Sequence, residues 1–244
     1  MEYTYEFFEK SAQYVREKLD FQPEIGIILG SSLGPFAAQV ENPVVIPYED
    51  IPNFLRSTVA THAGKLICGT VSGKKVVCMS GRFHSYEGYD FPQLTAPIRL
   101  FKLLGCRAVI LTNAAGGVNL SFKPGDIMII NDQIMLPGCS PMRGPNIPEF
   151  GPRFFDVQKM YSPELRAIAK ECADWIRRKA RFRSNISSQQ MWGFLNVDES
   201  TYAPINGFTT VDLGCERGNN AYYPVQRMES SENGRYYLRL FEEI

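Results

Sequence analysis

Apolar residues recur at Phe8, Ala12, Val15 and Leu19, so the spacing predicts an amphipathic helix over residues 3–20. The run "EIGIILG" is short, apolar and closed by glycine. It reads as a buried strand, with "SSLGPF" as the turn leaving it. "KLICGTVSGKKVVCMSG" holds two β-rich runs joined at Ser72-Gly73, the pattern of a hairpin. "DFPQLTAPIRLFKLLG" predicts one amphipathic helix stopping at Gly105. "RAVILTNAAGG" and "GDIMIINDQIML" predict two further buried strands. "SPELRAIAKECADWIRRKA" opens as a helix, with Ser162 as N-cap and Pro163 in the first turn. Strands alternating with helices imply a layered α/β fold with a parallel or mixed sheet. Beyond about residue 180 the periodicity fades and no buried-strand run recurs. Only "RYYLRLFEEI" again has a helical stripe.

Composition narrows the classes. A chain of 244 residues, 44% apolar and 21% charged, can bury a substantial core. Lys and Arg number 26, as do Asp and Glu, so no global field draws the chain to nucleic acid or a membrane surface. The first twenty residues lack the apolar centre of a signal peptide, and no apolar run reaches bilayer length. The cysteines at 68, 78, 106, 139, 172 and 215 are scattered without a CxxC pair. They predict reduced thiols in a cytoplasmic protein, not a zinc site.

Candidate chemistry gathers at three strand ends. The first leaves through Gly30-Ser31-Ser32-Leu33-Gly34, the second through Gly81-Arg82-Phe83-His84, the third through Thr112-Asn113-Ala114-Ala115-Gly116-Gly117. In open α/β sheets ligands collect outside the carboxyl ends of strands. Small residues let backbone N–H groups approach an anion, a Ser hydroxyl adds a donor, and Arg supplies a fork that matches phosphate oxygens. Each piece alone is also a common turn or a solvated charge. Their co-occurrence at three strand ends is what points to a phosphate-like ligand. The glycine pattern fits neither the Walker loop nor G-x-G-x-x-G.

With these residues in hand, the chain resembles the trimeric purine nucleoside phosphorylases. The resemblance rests on "GSSLG", "RSTVATHAGKL", "GRFHSYEGY", "TNAAGGVN", "GDIMIINDQI", "RGPN" and "GPRFF", in order over about residues 3–175. It implies a layered α/β nucleoside phosphorylase fold with a mixed central sheet flanked by helices. It also implies a homotrimer that splits purine nucleosides with phosphate, using no metal or organic cofactor. Phosphate would be bound by Ser31, His62, Arg82, His84 and the Ala114 backbone. Tyr86, Asn113, Ala115 and Phe154 would line the ribose and base side, Phe154 reaching a neighbouring subunit. His84, Tyr86 and Glu87 would carry the catalytic roles, Glu87 by ordering the phosphate side. No nucleic acid or membrane partner is implied.

The departures are equally specific. Ser32 stands where that family has a central Gly. If the position needs φ > 0, the serine costs about 1 kcal/mol. Gln133 replaces the usual His after Asp132. After residue 180 the family's Gly-Pro-x-Phe/Tyr-Glu-Thr and Thr-Asn segments are not found, and "GFTTV" only echoes its Met-Ser-Thr-Val segment. Residues 1–244 are therefore read as one domain, family-like to 175, with 176–244 divergent and poorly ordered. Two origins for that tail stand: a frame-shifted segment, or a diverged one with new specificity. Glu199, Glu216 and Asn233 are its candidate stand-ins for the base-holding groups. The basic cluster Arg177, Arg178, Lys179, Arg181 and Arg183 reads as solvated or non-native sooner than as a nucleic-acid patch. The corresponding expectation is very poor turnover of inosine. The alternatives are an inactive member that keeps phosphate and ribose binding, and a methylthioadenosine phosphorylase relative, against which "GRFHSYEGY" argues.

Overall fold

The computed structural model describes residues 3–30, 33–56, 64–116, 127–133, 140–158, 160–180, 186–191 and 209–217. Its eight-stranded mixed sheet has the order β2-β3-β4-β1-β5-β8-β6-β7. The strands are β1 (Ile25–Leu29), β2 (Glu41–Pro47), β3 (Lys65–Val71), β4 (Lys74–Ser80), β5 (Ala108–Gly116), β6 (Ile127–Gln133), β7 (Ile186–Met191) and β8 (Thr209–Arg217). The helices are α1 (Tyr5–Arg16), α2 (Phe91–Leu94), α3 (Ala96–Leu104) and α4 (Pro163–Ala180). The expected layered α/β class with a mixed sheet is what forms.

Strand alternation divides the core in two. Ile28, Leu66, Cys68, Val77, Met79, Val109 and Leu111 face one side, packed with Ala12 and Val15 of α1 and Leu100 and Phe101 of α3. Ile25, Ile27, Leu29, Ile67, Val76, Cys78 and Ile110 face the other, packed with Leu165, Ala169 and Cys172 of α4. The helix starts follow their caps. The Thr4 hydroxyl accepts from Phe7 N–H at 3.3 Å, and the Ser162 hydroxyl accepts from Leu165 N–H at 3.2 Å. The hairpin turns at Ser72 (φ 47°) and Gly73 (φ 78°), left-handed at both positions as the twist of a two-residue turn requires.

Several sequence expectations are corrected. The first helix ends at Arg16, short of residue 20. The single helix predicted over 90–105 is two, because Pro97 has no N–H to offer Gln93 and the chain breaks at Thr95, whose hydroxyl donates to Pro92 O at 3.1 Å. Strand β2 was not anticipated. It lies at the sheet edge with only Ile46 buried, and its register shifts between Glu41 and Val44, so the short run Val44-Val45-Ile46 between two prolines is all that announces it. The absence of strands beyond residue 180 is also overturned. β8 lies between β5, to which it runs parallel, and β6, to which it runs antiparallel, while β7 pairs parallel with β6. Among the described residues no helix is long and apolar enough to cross a membrane. The predicted helix at "RYYLRLFEEI", Ser32, Arg181 and Arg183 lie outside the described residues. Arg177, Arg178 and Lys179 fall in the last turns of α4.

Candidate active site

Strands β4, β1 and β5 are adjacent and parallel, so the carboxyl ends of all three open on the same edge of the sheet. That juxtaposition was the expectation for Arg82 and His84 after β4, the turn after β1, and Thr112 and Asn113 near the end of β5. Arg82 and His84 are buried, at 5% and 7% exposure. The Arg82 guanidinium donates through Nη1 to Thr112 O at 3.1 Å and through Nε to His84 Nε2 at 3.2 Å. His84 Nδ1 lies 2.9 Å from Glu87 Oε1, and the same oxygen accepts the His84 backbone N–H at 2.9 Å.

This bonding fixes the imidazole. Nε2 accepts from Arg82 only in the tautomer that carries its proton on Nδ1, and that proton then goes to Glu87. A buried cation, an oriented imidazole and a buried carboxylate thus form one chain of charge-assisted bonds. The short 3₁₀ turn Ser85–Glu87 makes this possible, since it folds Glu87 back over the start of its own turn. The Tyr86 ring stacks on the His84 ring at 4.6 Å with an interplanar angle of 18°, while remaining 74% exposed. Its outer face is therefore presented to solvent beside the buried chain.

The loop is anchored from below. Tyr48 is fully buried, and burial pushes its hydroxyl well above the ordinary range. It keeps its proton and donates to Gly81 O at 2.7 Å. Phe83 packs between Tyr48, Phe54 and Tyr89 in edge and tilted contacts. The apolar residue of "GRFH" is thus the one that faces the core, and the flanking Arg and His stay at the strand end.

The third exit differs from its reading as a turn. β5 runs on through Gly116, and Ala114 and Ala115 pair with Cys215 and Glu216 of β8. A neighbouring strand that the sequence reading lacked supplies the ladder, so these small residues continue the sheet. Glu216 thereby takes a register position beside Ala115, whereas Glu199 and Asn233 lie outside the described residues. Asn113 is 2% exposed, and neither its amide nitrogen nor its oxygen has a hydrogen-bond partner among the described residues. Ser31 and His62 also lie outside them. Phe154 is 89% exposed.

The role of Thr112, named in the sequence only as the first residue of the third exit, is what sequence reasoning missed. Its hydroxyl accepts Gly30 N–H at 2.7 Å and donates to Ile28 O at 2.9 Å. The available signal was a lone hydroxyl at the polar end of an otherwise apolar strand. A separate cavity of about 620 Å³ lies between the start of α1, Arg99 and the segment 141–155. It contains none of the anticipated site residues, and Arg99 is held there over the rings of Phe8 and Phe150.

Comparison with known proteins bears on this geometry. The chain matches the family model described as "Phosphorylase superfamily" over residues 24–208. It is 39% identical over 214 residues to the purine nucleoside phosphorylase of Bos taurus, covering 86% of this chain and 69% of that one. The chain belongs to the purine nucleoside phosphorylase family. A second member, purine nucleoside phosphorylase 1 of Geobacillus stearothermophilus, is 51% identical over 173 residues, 71% of this chain. That match spans 63% of the bacterial protein's length. Among solved structures, the Schistosoma mansoni purine nucleoside phosphorylase in complex with inosine superposes with a TM-score of 0.84 at 30% identity, covering 99% of this chain and 97% of that one. The family match thus continues beyond residue 175, where the sequence motifs stop.

Proposed function

We propose that the protein catalyses phosphorolysis of purine ribo- and deoxyribonucleosides, releasing the free base and (deoxy)ribose 1-phosphate. The observation that carries this reading is the Arg82–His84–Glu87 chain at the joint carboxyl ends of β4, β1 and β5. It is a built anion site in a chain that belongs to this family. The solved relative with inosine supports the choice of a purine nucleoside.

In the proposed reaction a phosphate dianion is gathered by Arg82 and by His84, whose Nε2 exchanges its bond from Arg82 for the hydroxyl proton of the dianion, with Ser31, His62 and the Ala114 backbone as its further ligands. Tyr86, Asn113, Ala115 and Phe154 line the ribose and base side. One phosphate oxygen forms the new bond to C1′ as the C1′–N9 bond breaks, and the bonding pair leaves with the purine, which takes up a proton. The ribose carries positive charge in between, so the nucleophile held beneath it is also its electrostatic partner. Glu87 keeps the His84 ring in place throughout. Inorganic phosphate is the co-substrate, and the reaction as proposed draws on no metal or organic cofactor. We further assign the chain to one domain, to a homotrimer in which Phe154 meets a neighbouring subunit, and to the cytoplasm. The exposure of Phe154 supports the second of these.

The test is phosphate-dependent release of hypoxanthine from inosine. The expected rate is low. The carboxylate and amide that hold the base in this family have no motif in the tail, and loss of a donor to developing charge, such as the amide, costs about 10²–10³ in rate. Release that does not depend on phosphate, or that equals the rate of the Arg82→Ala variant, overturns the proposal. Phosphate binding without any release favours the inactive, ligand-binding alternative.

A further inference from the structure

We propose that Thr112 is a positioning residue for anion capture, its hydroxyl closing the junction of β1 and β5 so that its carbonyl can hold Arg82. The inference rests on the phosphorolysis reading above and gives a role to a motif residue to which the resemblance assigns none. Regular pairing of β1 with β5 ends at Ile28 and Leu111. One step beyond, the two strands would leave a backbone donor and a backbone acceptor without ladder partners in a buried place. The Thr112 side chain takes both, accepting Gly30 N–H at 2.7 Å and donating to Ile28 O at 2.9 Å. Its own carbonyl is thereby left to face Arg82, which donates to it at 3.1 Å.

The fit at this junction leaves no slack. A Cβ on Gly30 would stand 2.3 Å from Thr112 O and 2.6 Å from Arg82 Nη1. Thr112, Gly30 and Arg82 therefore meet in direct contact, one from each of the three strand ends. His84 Nε2, itself oriented by Glu87, and Thr112 O both aim the guanidinium. The first was legible in "GRFH". The second places β5 in control of a cation carried by β4, and it links Gly30, just past the end of β1, to the same residue's hydroxyl. A guanidinium fixed before its ligand arrives loses less freedom on binding, which is how a residue out of reach of phosphate raises affinity for it.

The experiment uses the full chain with Thr112→Val, which keeps the shape and deletes the hydroxyl, and Thr112→Ser, which keeps the hydroxyl. Inorganic phosphate is titrated by calorimetry, and KM for phosphate and for inosine is measured. Thr112→Val is expected to weaken phosphate binding about tenfold, through an unpaired buried backbone group and a displaced Arg82. KM for inosine should stay within about twofold of the parent, and Thr112→Ser should restore phosphate binding to about the parent value. Should Thr112→Val fail to fold, Thr112→Ala takes its place against Thr112→Ser. Phosphate affinity unchanged without the hydroxyl overturns the inference while leaving the functional reading intact. Equal losses in the Ser and Val variants also overturn it, since packing and not the hydroxyl would then be responsible. A parent chain that binds no phosphate overturns both.

Discussion

Arg82 and His84 at the end of β4 are buried as deeply as Asn113 near the end of β5, at 5%, 7% and 2% exposure. Their hydrogen bonding is opposite. Arg82 and His84 are held by Thr112 and Glu87 within the protein. Asn113 has neither amide atom satisfied among the described residues. Burying a polar group without a partner costs about 1–3 kcal/mol, so such a group persists where something other than stability retains it. The two strand ends thus separate two ways of building a site. At β4 the protein sets its charged groups in place beforehand. At β5 it carries a desolvated amide that no described residue satisfies, the arrangement expected of a group kept for a ligand.

The comparison breaks most readily at Gly30. Gly30→Ala drives a methyl into Thr112 O and Arg82 Nη1, neither of which can yield without opening the junction. Overpacking of this kind costs about 3 kcal/mol, and phosphate affinity should fall with it. Chemical denaturation and calorimetry on the same sample measure both. Loss of stability with full phosphate affinity would separate the junction from the anion site. Arg82→Ala comes next. It removes one charge-assisted partner of the anion, for a loss of about 1.5–3 kcal/mol of phosphate affinity. Equal affinity in parent and variant would leave the wired strand end without a ligand role.

Buried thiols show what burial does where no ion pair or ligand is involved. Burial pushes the Cys68 thiol up to about 12, and those of Cys78 and Cys106 are raised by the same cause. In the unfolded chain these thiols ionise near their ordinary value of about 8.5. Below that pH both states are protonated and stability is independent of the thiols. Above it the unfolded state alone loses protons, so stability falls as pH rises, until the folded thiols ionise as well. For Cys68 the window runs from about 8.5 to about 12, with a slope approaching 1.4 kcal/mol per pH unit. Denaturation curves of parent and Cys68→Ala at pH 8 and pH 10 should diverge by about that slope. Parallel curves would show that Cys68 meets water.

The wired strand end was largely legible in the sequence, and the reasons are local. Strands β1, β3, β4, β5 and β6 declare themselves through apolar runs, and "GRFHSYEGY" concentrates four polar functions within one turn of Phe83, the residue that fixes its direction. What stayed hidden depends on neighbours. β2 has one buried side chain. β8, "TTVDLGCER", has no apolar run, and its place between β5 and β6 is set by ladder pairing that no periodicity reports. The break at Thr95 needed the lost bond at Pro97 to be weighed above the amphipathic stripe. Thr112 reads as an ordinary β-branched strand residue until β1 is laid beside it. Asn113 was anticipated on the ribose and base side by resemblance alone. That its amide lacks a partner is visible only in three dimensions.

The smallest expected change in stability is at Asn113, and it decides the comparison. Asn113→Leu replaces the amide by a branched apolar end of similar size. At an ordinary buried asparagine this substitution strands the partners it leaves behind and costs stability. Here no described partner is left behind, and the cost of desolvating the amide is removed with it. Stability should therefore stay level or rise by up to about 1 kcal/mol. Phosphate affinity should also hold, because Arg82 and His84 make no use of the amide. Phosphorolysis of inosine should nevertheless drop, since the variant offers the nucleoside a hydrocarbon where Asn113 offers a donor and an acceptor. Three measurements on one variant are needed: a denaturation curve, a phosphate titration and kcat/KM for inosine. A drop confined to kcat/KM is the signature of a group retained for a ligand. If Asn113→Leu instead destabilises the protein by more than about 1 kcal/mol, the amide has a structural partner after all, and the two strand ends are built alike.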